Sequence, residues 1–167
     1  RIDAKANVQI KGLGFKTPTL WIGGLESTVQ SRFQMDLSKT SQFHLNTLQT
    51  DAFTILARKI SWNNTLDFTH WKSTHTIDSL DRIETSLIET LWGGGALEAQ
   101  AFTLTTDPLE LDTVLKVRKV PINYLLSLSE SKNAFQKVSG TLSGRIPFRM
   151  APKKGVANFW IKDAILE

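Results

Sequence analysis

Gly140-Thr141-Leu142-Ser143-Gly144 sets a serine among glycines, the composition of a nucleophile elbow. That elbow needs the serine flanked by glycines that are each one residue removed from it. Here Ser143 touches Gly144 directly and sits in alternating sequence, so a strand serine is expected. Gly12-Leu13-Gly14 lacks the third glycine and the following helix of a dinucleotide loop, and reads as a turn. The three histidines are His44, His70 and His75. No His-x-x-x-His or His-Glu-x-x-His pair occurs, so they read as surface or half-buried side chains, not metal ligands. The carboxylates are scattered over polar positions, as solubilising charges are. There is no cysteine, which excludes disulfides and thiolate sites. No catalytic residue, metal or cofactor is expected, and the chain does not read as an enzyme.

The elements that carry these residues are strands. From Leu25 the odd positions read Leu25, Ser27, Val29, Ser31, Phe33, Met35, Leu37, and the even positions Glu26, Thr28, Gln30, Arg32, Gln34, Asp36. One face is apolar or small and the other polar, the period-2 pattern of a strand. Ile2 to Lys11 alternates in the same way. So does Leu109 to Arg118, with Leu111, Leu115 and Val117 on the apolar side. In Val138 to Met150 that side holds Gly140, Leu142, Gly144, Ile146 and Phe148. Val156 to Leu166 is a further, less cleanly patterned strand. The alternation after Leu25 lasts 13 residues, about 43 Å at roughly 3.3 Å per residue. Ordinary strands average nearer five or six residues, so an elongated sheet is expected.

Turn chemistry appears at Gly12-Leu13-Gly14, Thr17-Pro18, Asn63-Asn64, Thr106-Asp107-Pro108 and Ala151 to Gly155. "LWIGGLE" (Leu20 to Glu26) and "LWGGGALE" (Leu91 to Glu98) repeat one unit. Both read as bends inside long strands, with the tryptophan covering exposed backbone. Pro147 cannot donate to a ladder, so its strand is expected to be an edge or bulge there, or to end. After Pro121, Ile122 to Leu128 has the apolar density of a short helix, followed by a polar loop over Ser129 to Asn133. Ile77 to Leu91 fits either a helix or a strand starting near Arg82; the strand is preferred for its Thr and Ser content.

The chain has 167 residues, 41% of them hydrophobic and 22% charged, with net charge +4. That predicts one folded domain, or a piece of a longer protein. The cations are spread along the chain and no nucleic-acid signature appears. No apolar run is long enough for a membrane-spanning helix. Three uses of the apolar strand faces are open: a packed core, an outer-membrane barrel, or an open groove holding acyl chains. Pro147 and the irregular placement of the tryptophans speak against the barrel. Periodicity does not separate core from groove.

"LIETLWGGGALEAQAFTLTTDPLELDTVLKVRKVPINYLLSL" (Leu87 to Leu128), followed by "VSGTLSGRIPF" (Val138 to Phe148), resembles the C-terminal region of the YdbH-like family. These are envelope proteins related to the wider AsmA/TamB-like group. The shared pattern is a Gly-Gly bend, two alternating strands, a short Leu-Leu helix, then Gly140, Leu142, Gly144, Ile146 and Pro147. The resemblance implies a mainly β, elongated, twisted antiparallel sheet forming a β-groove, part of an inner-membrane-anchored periplasmic protein of a Gram-negative bacterium. It implies intermembrane phospholipid transport; if the apolar strand faces line such a groove, the alternation sets Val29, Phe33, Leu111, Leu115, Val117, Leu142 and Ile146 against acyl chains. It also implies a small outer-membrane lipoprotein partner that adds strands to the open edge. An older family label is dicarboxylate transport, and no dicarboxylate site is visible. The competing expectation is a β-rich scaffold or interaction domain that carries no lipid.

Overall fold

The computed structural model describes residues 1–37, 43–63, 65–128, 139–153, 156–161 and 165–166. Its strands are β1 (Ile2–Lys16), β2 (Leu20–Leu37), β3 (Phe43–Thr50), β4 (Phe53–Trp62), β5 (Leu66–Ser79), β6 (Arg82–Trp92), β7 (Gly95–Ala99), β8 (Phe102–Thr106), β9 (Leu109–Pro121), β10 (Thr141–Lys153), β11 (Val156–Ile161) and β12 (Ile165–Leu166). One helix, α1 (Ile122–Ser127), follows β9. The mainly β, elongated antiparallel sheet and the single short helix agree with the expectation from sequence.

All twelve strands belong to one sheet, in the order β1-β2-β4-β5-β6-β7-β9-β10-β11. Every ladder is antiparallel. Three pairs of segments share one edge of a long neighbour: β3 and β4 on β2, β7 and β8 on β9, β12 and β11 on β10. The chain therefore runs as an up-and-down meander of long strands with no crossover. β2 alone has 18 residues, about 59 Å of extended chain.

Turn chemistry accounts for most of the reversals. Thr17 closes the β1–β2 hairpin: its hydroxyl accepts the Leu20 N–H at 2.9 Å, and its own N–H reaches the Leu20 carbonyl at 2.7 Å. Asn63, in the left-handed region, turns β4 into β5; Asn64 lies outside the described residues. The cis Asp107–Pro108 peptide lies in the β8–β9 turn. The preference for a strand from Arg82 holds, with Leu80 and Asp81 making the turn before it. Pro121, at φ −60°, ends β9 and stands at the N-cap of α1, and the Gly140 carbonyl accepts the first helical N–H, from Ile122.

Several expectations need correction. Gly12-Leu13-Gly14 is not a break; it lies inside β1, where the register to β2 shifts. The two Leu-Trp-Gly-Gly units differ. Gly23-Gly24 is a bulge within β2, with Gly24 at φ +67° and the Trp21 ring lying over Gly23. Gly93-Gly94 is not a bend within a strand: Trp92 pairs with Gly95, so the two glycines, both at positive φ, form the two-residue loop of the β6–β7 hairpin. The strand expected from Val138 starts at Thr141; Val138 and Ser129 to Asn133 lie outside the described residues. The strand expected over Val156 to Leu166 is two pieces, β11 and β12. Pro147 does not end its strand. It stands within β10 opposite Val114, where the described ladder on the other side passes from Arg145↔Ile165 to Phe148↔Ile161.

Candidate functional site

Directly opposed residues of an antiparallel pair point to one face, so the registers sort the whole sheet. Val8↔Val29 and Ala4↔Phe33 join β1 to β2, and Phe33↔Leu48 joins β2 to β3. Ser27↔Ile55 and Ile55↔Ser73 carry the same face through β4 to β5. Ser73↔Ile88, Ile88↔Ala99 and Ala99↔Leu115 carry it through β6 and β7 to β9, and Leu115↔Ile146 to β10. Val117↔Gly144, Leu111↔Met150 and Val120↔Leu142 complete the set. The seven residues expected to line an apolar surface, Val29, Phe33, Leu111, Leu115, Val117, Leu142 and Ile146, thus stand on one face of one sheet. Glu26, Gln30, Arg32, Asp112 and Arg145 stand on the other and are exposed.

Burial follows the same division. Val29, Phe33, Leu111, Leu115, Leu142 and Ile146 are half-buried, whereas Val117 is only 1% exposed and Val120 0%. Ala57, Ser73, Thr85, Thr90 and Ala99, all buried, share that face. Small side chains are thus sunk among larger half-buried ones on this face. The described residues supply no second sheet to cover it. The accessible surface is 11506 Å² for 18.7 kDa, against about 8,300 Å² for a compact monomer of that mass.

One end of the face is aromatic. Ile22↔Ile60, Ile60↔Phe68 and Phe68↔Trp92 form a row across β2, β4, β5 and β6. Phe68 and Trp92 rings stack at 6.3 Å, Trp71 meets Phe68 edge-on, and Tyr124 of α1 meets Trp92 edge-on at 5.8 Å. Tyr124 also lies over Gly93, where any Cβ would collide with its ring. A Cβ on Gly95 would come within 2.6 Å of the Val120 backbone. α1 is therefore docked onto the β6–β7 turn by a close approach that requires glycine at Gly93, and β9 approaches β7 closely at Gly95. Gly140, at φ +135°, holds the helix start and lies 3.4 Å, at its would-be Cβ, from Ile122. Of the motif residues, Gly144 faces Val117 on the apolar side and Pro147 faces Val114.

A small polar group interrupts the lining. Trp71 Nε1 donates to Ser73 Oγ at 3.0 Å; His75 Nε2 lies 2.7 Å from the same oxygen, and His75 Nδ1 lies 3.0 Å from Thr85 Oγ1. Burial lowers the His75 pKa below its ordinary value. Ser73 is 1% exposed and the group contains no carboxylate, so it satisfies polar atoms and offers no activated nucleophile to solvent. No cluster of three metal-ligating side chains occurs among the described residues.

The sequence reading missed part of the face. Phe53, Ile55 and Ala57 carry the same alternation, against Thr54, Leu56 and Arg58, and had the signal to be included. The aromatic end had none, because its residues come from four strands and a helix. The chain matches no family profile, no curated protein and no solved structure.

Proposed function

We propose that the chain is a segment of an envelope β-groove whose apolar face shields phospholipid acyl chains as they pass between inner and outer membranes. The observation that carries this reading is the apolar face: one sheet, one apolar side, and half-buried Val29, Phe33, Leu111, Leu115, Leu142 and Ile146 with no second sheet against them among the described residues. An acyl chain needs only such a surface, since each methylene removed from water contributes about 0.8 kcal/mol. It needs no catalytic group and no cofactor, and the head group stays in water beyond the rim. On this reading the chain works in the periplasm of a Gram-negative bacterium, as part of an inner-membrane-anchored protein of the YdbH-like kind. A small outer-membrane lipoprotein would extend the sheet by adding strands at an open edge.

A second reading, a β-rich interaction scaffold without lipid, is favoured by β1. It ends the sheet, and Val8 and Phe15 on it are 50% and 52% exposed. Such an edge is a template for another chain. Native mass spectrometry of the gently purified protein separates the two. Co-purifying phospholipid, lost on delipidation and regained from vesicles, is the groove result. A lipid-free protein that does not take up phospholipid on incubation is the scaffold result.

A further inference from the structure

On the polar face, opposite the proposed lining, Lys116 and Arg145 stand directly across the β9–β10 ladder. Like charges in that position repel. Elsewhere on the sheet such cations are offset. Lys5 also stands opposite Arg32, but Arg32 reaches Asp51 at 3.9 Å; Arg149 faces Asp112 at 3.9 Å, and Lys59 holds Asp67 at 2.6 Å. Glu98 is in register with Lys116, yet its carboxylate is taken by Arg118. Among the described residues the charges around this point are thus Lys116, Arg118 and Arg145 against Glu98, with Glu89 the next carboxylate, one strand further away.

The backbone shapes the place as well. Lys119 sits at φ +51°, and the register to β10 shifts between Leu142 and Gly144, so Arg118 and Lys119 together oppose Ser143. Bulges of this kind re-aim side chains beside sites. Ser143 Oγ accepts the Lys119 N–H at 3.0 Å, which leaves its own proton free to donate. Glu98, Lys116, Arg118, Ser143 and Arg145, together with Val117 and Gly144 between them in the chain, line a concavity of about 510 Å³.

We propose that this concavity binds a phosphate group. Lys116 and Arg145 supply charge-assisted hydrogen bonds, Ser143 donates its hydroxyl, and the anion relieves the repulsion across the ladder. The same chemistry is presented by free phosphate and by the phosphate of a phospholipid head group. The site lies on the face away from the proposed lining and does not depend on it.

The test is thermal unfolding of the whole chain in inorganic phosphate against chloride at matched ionic strength, with amide NMR shifts at Lys119 and Ser143, and flotation with phosphatidylglycerol or phosphatidylcholine vesicles. Wild type should be stabilised by phosphate, saturably, with both amides shifting. Lys116→Gln with Arg145→Gln should weaken binding roughly tenfold or more, the loss expected when charge-assisted bonds go. The same double variant should unfold at a higher temperature than wild type in phosphate-free buffer, so misfolding cannot imitate the result. Lys5→Gln with Arg32→Gln should bind like wild type. Flotation with phosphatidylglycerol alone, lost in the first double variant, identifies the head group as the source; a response to inorganic phosphate without flotation identifies the free ion. Equal stabilisation by phosphate and chloride with no vesicle binding, or equal binding by the two double variants, overturns the proposal.

Discussion

His75 is the titratable side chain seated among the small residues of the apolar face, between Ser73 and Thr85. Burial disfavours its charged form and lowers its pKa from 6.5. Well above pH 6.5 the ring is neutral in folded and unfolded chains and adds no pH dependence. As pH falls, the unfolded ring takes its proton first, so the folded state loses stability until the lowered folded pKa is passed. Denaturant titrations between pH 7.5 and 5, ranges chosen about the ordinary histidine value, should show a falling midpoint that His75→Gln flattens. An NMR titration of the ring should place its midpoint below 6.5; a midpoint at or above that value would contradict the burial argument. None of this was legible in the sequence. His75 has no distinguishing neighbour there, and its partner Thr85 comes from the next strand. Pro147 was legible in part: its missing N–H is tolerated within β10 at the junction between two described ladders.

The strands were largely legible because side-chain direction has a period of two and one face is apolar, so Leu25 to Leu37 and Leu109 to Val117 announce themselves. The bulges were not. Gly12 in β1, Gly24 in β2, His70 in β5 and Lys119 in β9 all have φ between +51° and +67°. The registers set Gly24 beside Arg58, Arg58 beside His70, Trp71 near Thr90, and Leu97 beside Val117, so Gly24, His70 and Lys119 lie along one line across the sheet. Each bulge lets the apolar positions change parity while staying on one face: Ile22 before Gly24, Leu25 after it. Two of the four are not glycine, and nothing local in the sequence marks them. The same reason separates the two Gly-Gly units. Thr17-Pro18 has already reversed the chain before Gly23-Gly24, whereas Gly93-Gly94 has a full strand behind it to fold back upon. If the line of bulges shapes the sheet, Gly24→Ala should cost about 1–2 kcal/mol from left-handed strain alone, with further displacement of the Arg58 side chain that lies over it. His70→Gly and Lys119→Gly should be neutral or stabilising, by up to about 1 kcal/mol, since glycine removes that strain and costs some backbone entropy. Urea unfolding of the three variants checks the ordering; a destabilising Lys119→Gly would place the value of that bulge in its side chain.

For the molecule as a whole the question is what meets the apolar face. Sequence periodicity did not separate a closed core from an open groove, because an inward-facing leucine reads the same in both. Among the described residues there is one sheet and no second sheet against it, and Leu115 and Ile146 stand side by side on its apolar face. The most direct measurement is site-specific photocrosslinking in a Gram-negative host, with a photoreactive residue placed at Phe33, Leu111 or Ile146 on the apolar face and at Thr28 or Gln30 on the polar face. The account predicts phospholipid adducts from the first three positions and none from the last two. It also predicts that Leu115→Asp abolishes the Ile146 adduct while the protein stays folded, because an unpaired charge beside hydrocarbon costs several kcal/mol and beside open water costs little. Lys116→Asp, on the opposite face, should leave the adduct intact. Folded protein with no lipid adduct at any of the three apolar positions, or with Leu115→Asp unfolding the chain as it would in a closed core, would contradict it.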